Sequence, residues 1–153
     1  MRETIISDTS SLLAFYEIGE MSVLQRMYSR IATTSAVQRE FEYPLPTWII
    51  VREPLEEHVQ NVRQRYKLDS GEITAIALAL SIPESTLIID EAAGRRVAQE
   101  LGIQITGTPG ILLKAKKQGI VPVVRPLIRK LQAVNFRMSE PLITAILTEA
   151  GEN

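Results

Sequence analysis

The sequence predicts an α/β fold, a three-layer sandwich in which helices cover both faces of a central, mainly parallel sheet of about five strands. Its short apolar segments are continuous rather than alternating, which is typical of parallel strands buried on both faces. Helical patterns separate most of these segments, as βαβ crossovers require. The segments predicted as strands are Thr4–Ser7, Ile31–Thr34, Trp48–Val51, Thr86–Ile89 and Ile103–Thr106.

Capping residues mark the starts of several predicted helices. Ser35 and Gln38 have the spacing of a capping box, in which two side chains satisfy free backbone donors. Thr108 followed by Pro109 fits an N-cap and a first helical position. Apolar residues at helical spacing predict an amphipathic surface helix over residues 55–67.

A second helix, starting near Asp69, is expected to be buried. Residues 73–80 are apolar nearly all round, which is typical of a helix inside the protein. Glu72 stands at the start of this helix, where an ionisable group needs a reason. One such reason is structural, because Glu72 could close a capping box with Asp69.

Composition limits the class of protein and of chemistry. The chain has 153 residues, and we expect a single domain over 1–153 in which 122–150 form a C-terminal helical extension. The absence of Cys excludes disulfides, thiolate metal sites and cysteine nucleophiles. No apolar run reaches the ~18 residues of a membrane span and no signal-peptide pattern is present, so a cytoplasmic location without a membrane partner is expected.

Charge is distributed unevenly along the chain. The formal net charge is −1, yet residues 1–90 carry 8 basic and 13 acidic side chains and residues 91–153 carry 9 and 5. Within residues 92–137, Glu100 is the only acidic residue among the basic ones. Such a segment can form a local surface that attracts phosphate. A set of solvated helix faces is the alternative interpretation.

Four acids fall at comparable points of the predicted fold. Asp8 and Asp90 each follow a predicted strand, whereas Glu40 and Glu72 lie in the opening turns of predicted helices. The carboxyl ends of parallel strands and the helix starts beside them converge on one crevice. Carboxylates gathered without basic partners acquire raised pKa values or bind a cation. Mg²⁺ or Mn²⁺ suits such oxygen ligands.

Like Glu72, Asp8 and Asp90 also have ordinary structural interpretations. Asp8 could cap the helix that begins near Ser10, and Asp90 could be a turn residue. Glu91 follows Asp90 directly, so either of the two could point into the crevice. The pattern alone leaves that choice open.

The order and spacing of these motifs match a known family. The chain resembles a PIN domain, the single-domain metal-dependent nuclease fold of VapC-like toxins. It is most similar to a PIN-like branch of prokaryotic proteins described mostly as predicted nucleic-acid-binding proteins. The matching segments are Ile6–Ser10, Val37–Glu40, Leu68–Ile76, Leu87–Glu91 with Arg95 and Arg96, Gly107–Leu112 and Lys114–Asn135.

The resemblance implies which residues form the site. It identifies Asp8, Glu40, Glu72 and Asp90 as catalytic and metal-binding acids. Ser10 corresponds to the small polar residue that helps to order the site. Many PIN domains have Asp where this chain has Glu72, and the pair Asp90–Glu91 makes Glu91 a further candidate ligand.

The resemblance also implies a function. It predicts an endoribonuclease that hydrolyses an RNA phosphodiester with water activated by Mg²⁺ or Mn²⁺, and that acts as the toxin of a toxin–antitoxin pair. Arg95 and Arg96 are the predicted phosphate contacts, because they follow the fourth acid by about one helical turn. RNA, a small antitoxin and a second copy of the chain are the expected partners. The alternative is a non-catalytic PIN-like module that binds RNA or protein.

Overall fold

The computed structural model describes residues 3–153 and contains five strands with helices on both sides. The strands are β1 (Thr4–Ser7), β2 (Ile31–Thr33), β3 (Ile49–Val51), β4 (Ser85–Ile88) and β5 (Gln104–Thr106). The helices are α1 (Thr9–Glu17), α2 (Met21–Tyr28), α3 (Ser35–Phe41), α4 (Glu56–Arg65), α5 (Ser70–Ser81), α6 (Ala92–Glu100), α7 (Thr108–Lys117), α8 (Arg125–Ala133) and α9 (Glu140–Glu149). All strand pairs are parallel, in the order β3-β2-β1-β4-β5. The predicted three-layer α/β fold is confirmed.

Two side-chain clusters, one on each face of the sheet, form the core. Ile5 belongs to a cluster with apolar residues of α1, α2, α7, α8 and α9. Its neighbour Ile6 belongs to a second cluster with α4, α5 and α6. Consecutive strand residues point to opposite faces, so this split follows from the β geometry of one short segment. Burial on both faces is the reason that the strands are apolar throughout.

Two of the predicted helix caps are wrong. Thr34 rather than Ser35 caps α3, because its extended backbone directs Oγ1 to accept from the Val37 amide at 3.2 Å. Ser35 is the first helical residue, and its amide and hydroxyl both donate to the Glu53 carboxylate. The N-cap of α7 is Gly107, so Thr108 stands one residue inside the helix.

The last residues fasten the C-terminal part of the chain to α7. Glu152 accepts hydrogen bonds from Lys116 Nζ at 2.8 Å, the Val124 amide at 2.7 Å and the Arg125 amide at 2.9 Å. Desolvation raises the pKa of Glu152, but these donors outweigh it and lower the pKa to about 2. Lys116 and Arg125 also donate to the carbonyls of Ala150 and Glu152. These two basic side chains are therefore committed to the fold.

None of the helices within residues 3–153 has both the length and the apolar composition that crossing a bilayer demands.

Candidate active site

The acids gather where the strand order reverses. Residues Ser7 of β1 and Ile88 of β4 are paired, while β2 and β3 continue the sheet on one side and β5 on the other. The chain continues from β1 to one side of the sheet and from β4 to the other side. A crevice therefore opens at the carboxyl ends of these two parallel strands. Asp8 follows β1 directly, and Asp90 and Glu91 follow β4. The topology alone thus brings three acids to one place.

Asp8 uses only one of its two carboxylate oxygens. It is fully buried at the N-cap of α1, where Oδ1 accepts from the Ser11 amide at 3.0 Å. Among residues 3–153, Oδ2 has no hydrogen-bond partner. Burial raises the pKa of Asp8 to about 7; hydrogen bonds from Ser11 lower it, and the charges of Asp90 and Glu91 raise it further. The capping role is therefore real, yet it leaves half of the carboxylate unused.

Glu72 is the second acid with an unused oxygen. It lies in the first turn of α5 and is only 6% exposed. Asp69 caps this helix by accepting from the Glu72 amide at 2.8 Å, but Oε2 of Glu72 has no partner within residues 3–153. Burial raises the pKa of Glu72 to about 8, and the charges of Asp69, Glu91 and Asp8 contribute to that rise. An ionised Glu72 is costly here unless a cation is nearby.

Glu40 connects two helix starts. It is the next-to-last residue of α3 and lies in the second turn of this helix, which is only seven residues long. Its Oε1 accepts from Thr9 Oγ1 at 2.6 Å and its Oε2 from the Gly71 amide at 3.0 Å. Glu40 thus joins the first turns of α1 and α5, which carry Asp8 and Glu72.

Asp90 and Glu91 have different surroundings. Oδ2 of Asp90 accepts from Ser11 Oγ at 2.7 Å and Thr108 Oγ1 at 2.6 Å, while Oδ1 accepts from the Thr108 amide at 2.8 Å. Both carboxylate oxygens of Asp90 therefore accept hydrogen bonds, and the side chain links α1 to α7. Glu91 is exposed and accepts one bond, from Ser10 Oγ at 3.2 Å. Its charge raises the pKa values of both Asp8 and Glu72.

The two arginines predicted as phosphate contacts also differ in burial and in hydrogen bonding. Arg95 is half-buried and donates from Nη1 to the carbonyl of Ile89 at 2.8 Å. Arg96 is exposed. Within residues 3–153 neither forms an ion pair, and the basic partners in ion pairs are Lys116, Lys117 and Lys130. None of the acids of the crevice is therefore part of an ion pair in the described part of the chain.

Comparison with known proteins places the chain in a family. A family model described as a PIN domain (DUF3368) matches residues 4–152. The chain belongs to the PIN-domain family. A search of curated proteins finds no match. The match covers nearly the whole sequence, so the fold is of a nuclease type throughout its length.

The donor set of this PIN domain fits a hard divalent cation. No group of three or more His or acidic side chains within residues 3–153 forms a ready metal cluster. The described residues instead offer two buried carboxylate oxygens without partners, Asp8 Oδ2 and Glu72 Oε2. Mg²⁺ commonly binds through one or two carboxylates and keeps several waters. Asp8 Oδ2 and Glu72 Oε2 are donors of the type that such an ion takes.

Several residues that support the site escaped the sequence interpretation. Ser11 and Thr108 hold Asp90, and Gly71 gives its amide to Glu40. Gly94 of α6 lets Glu72 approach, since a Cβ there would lie 2.6 Å from Glu72 Oε2 and 2.7 Å from Ile89 Cδ1. A glycine inside a helix is the available sequence signal, because it weakens the helix unless close packing needs it.

Gly94→Ala tests that close approach. Ile89 is fully buried and cannot move away, so we expect the variant to be destabilised by about 1–3 kcal/mol. Gly110→Ala is the matched control, because its Cβ would meet only Thr106 Oγ1, at an ordinary 3.6 Å. Urea unfolding measures both variants. Equal stability of the two would contradict the proposed packing of Glu72 on α6.

Proposed function

We propose that this PIN domain is an endoribonuclease that hydrolyses an RNA phosphodiester with the help of Mg²⁺ or Mn²⁺. The observation that supports this most strongly is the pair of buried, unpartnered oxygens on Asp8 and Glu72 at the switch point of the sheet. Raised pKa values of both acids mark a place where negative charge is costly until a cation arrives.

The chain's own residues divide the work in this proposal. Asp8 and Glu72 hold the ion, and Glu91, oriented by Ser10, is the third acid that faces it. Glu40 and Asp90 act through position, since they fasten the helix starts that carry the ligands. When bound, the ion would lower the pKa of the attacking water and neutralise charge on the reacting phosphate.

The different bonding of Asp90 and Glu91 gives a paired prediction. Asp90→Ala leaves the Thr108 amide and two hydroxyls without their acceptor, so we expect a loss of about 2–4 kcal/mol in unfolding free energy. Glu91→Ala removes an exposed like charge, so it should not lower the unfolding free energy, while it weakens Mn²⁺ binding. Urea unfolding and calorimetry separate the two effects. A Glu91→Ala protein that binds Mn²⁺ like the wild type would remove Glu91 from the site.

The same acidic crevice supports a regulated role. A small antitoxin that inserts Arg or Lys beside Asp8 and Glu72 would supply the missing positive charge and block the ion. We propose that the protein is the toxin of such a pair and acts on RNA in the cytoplasm. A homodimer stays a prediction from the resemblance.

Cleavage of labelled RNA by the purified protein tests the proposed function. We expect cleavage with Mn²⁺ or Mg²⁺ and none with EDTA. RNA that is bound but never cut, across a range of sequences and with either ion, would contradict the nuclease and favour the non-catalytic binding module. Cleavage that continues in EDTA would contradict the dependence on metal.

A further inference from the structure

A groove leads away from the acidic crevice towards the C-terminal helices. It encloses about 1100 Å³. Glu91 and Arg95 line one end, and Asn135, Phe136 and Arg137 line the other. Pockets for single small molecules usually measure about 300–1,000 Å³. The groove is thus large enough for a short stretch of an extended polymer that begins at the catalytic acids.

A rigid turn presents the far wall of this groove. Asn135 ends α8 with a left-handed φ of 63° and donates its amide to the Gln132 carbonyl at 3.1 Å. The Phe136 amide donates to the Leu131 carbonyl at 3.0 Å. These two bonds form a Schellman motif, in which Asn takes the position usually held by Gly. Phe136 follows this fixed backbone, is half-buried against the core and lines the groove.

Small residues line the near wall. Ala92 and Ala93 at the start of α6, and Gly107 and Gly110 around the start of α7, leave the space between the walls open. Exposed apolar surface is also present, because Leu142 of α9 is 42% exposed and lines the same groove. An aromatic ring and an aliphatic side chain that face an open space can receive a flat apolar group.

Positive charge stands on both sides of that space. Arg95 lies at the catalytic end and the exposed Arg137 beside Phe136. Among residues 3–153, Arg137 has no side-chain hydrogen bond or ion pair, unlike Lys116 and Arg125, which bind the C-terminal residues. A groove with an aromatic wall and flanking arginines has the chemistry of a site for single-stranded nucleic acid, in which bases stack and phosphates are neutralised.

We propose that this groove binds the single-stranded RNA segment next to the scissile phosphate, with one base stacked on Phe136 and a backbone phosphate held by Arg137. This proposal rests on the proposed nuclease function and assigns two residues that contact the RNA beside the scissile phosphate. A paired A-form helix keeps its bases stacked inside and cannot offer one to Phe136.

Binding of a labelled single-stranded RNA, measured against salt in EDTA, tests the groove apart from catalysis. Phe136→Leu keeps an apolar side chain against the core but removes the stacking ring, and we expect affinity to fall about tenfold. Arg137→Gln should reduce the salt slope by about 0.7, the value for one lost phosphate contact on a single strand. Tyr43→Leu and Arg129→Gln are matched controls, exposed and outside the groove, and should bind like the wild type.

The outcomes distinguish the groove from the proposed function. Weaker binding by both groove variants, with wild-type binding by both controls and a preference for single-stranded over duplex RNA, is the expected result. Wild-type affinity and salt slope in folded Phe136→Leu and Arg137→Gln would overturn the groove while leaving the nuclease intact. Arg137 is exposed, so its variant decides the question even where Phe136→Leu loses stability. A wild-type protein that neither binds nor cleaves RNA would overturn both.

Discussion

Glu72→Gln is expected to reduce Mn²⁺-dependent RNA cleavage by more than about 100-fold, because the loss of a charged ligand removes stabilisation of the transition state. Gln has nearly the same size as Glu, and the Glu72 side chain accepts no hydrogen bond through Oε2 within residues 3–153. The fold should therefore remain intact. Asp8→Asn should have a similar effect, since Asn can still cap α1 through Oδ1.

The control for this experiment is Glu42→Gln. Glu42 is exposed at the C-terminal end of α3 and outside the crevice. Its variant should cleave RNA at the wild-type rate. Parallel purification of all three variants with the wild type controls for contaminating ribonuclease. Equal cleavage by Glu72→Gln and Glu42→Gln would show that the buried acid takes no part in the reaction.

The second large effect concerns stability without metal. The folded pKa of Asp8 is raised from 3.8 to about 7, which corresponds to a penalty of about 4 kcal/mol when the carboxylate is ionised. The folded state binds this proton more tightly than the unfolded state, so the contribution of Asp8 to stability is fully present below pH 4, is lost as pH rises towards 7, and changes little above that. Asn has no such titration. We expect metal-free Asp8→Asn to be about 2–4 kcal/mol more stable than the wild type at pH 8.

Urea unfolding between pH 4 and pH 8 measures this difference. The difference in unfolding free energy should be small near pH 4 and should increase as pH rises. Glu42→Gln provides the control, because Glu42 is exposed, and its variant should be as stable as the wild type at pH 8. A Asp8→Asn protein that is less stable than the wild type at pH 8 would show that the Asp8 charge is already compensated inside the chain.

Much of the fold was accessible from the sequence because it depends on local patterns. Continuous apolar strands and intervening helices predict the parallel sheet, and the confirmed PIN family follows from the spacing of short motifs. Asp8 and Asp90 could be placed at the crevice because strand ends are visible in the sequence. The end of the short helix α3 was not visible, because it is set by the turn at Glu42, which adopts a left-handed φ of 68°.

The division of labour among the acids depends on contacts between distant residues. Ser11 reaches Asp90 across 79 positions, and Thr9 reaches Glu40 across 31. Nothing in the local pattern shows that these hydroxyls occupy the carboxylates. The groove beside Phe136 was equally hidden, because it is formed between the start of α6 and a turn after α8. Such sites become visible only when the chain is folded.

Calorimetric titration of Mn²⁺ into the wild type and Asp8→Asn tests whether Asp8 and Glu72 form a metal site. We expect binding to the wild type, binding to Glu42→Gln, and none to a folded Asp8→Asn. At a Mn²⁺ concentration 100 times the Kd, the wild type should gain about 2.7 kcal/mol of unfolding free energy. Asp8→Asn should gain none. Mn²⁺ that binds Asp8→Asn as tightly as the wild type, or binds neither, would contradict a metal site built on Asp8 and Glu72.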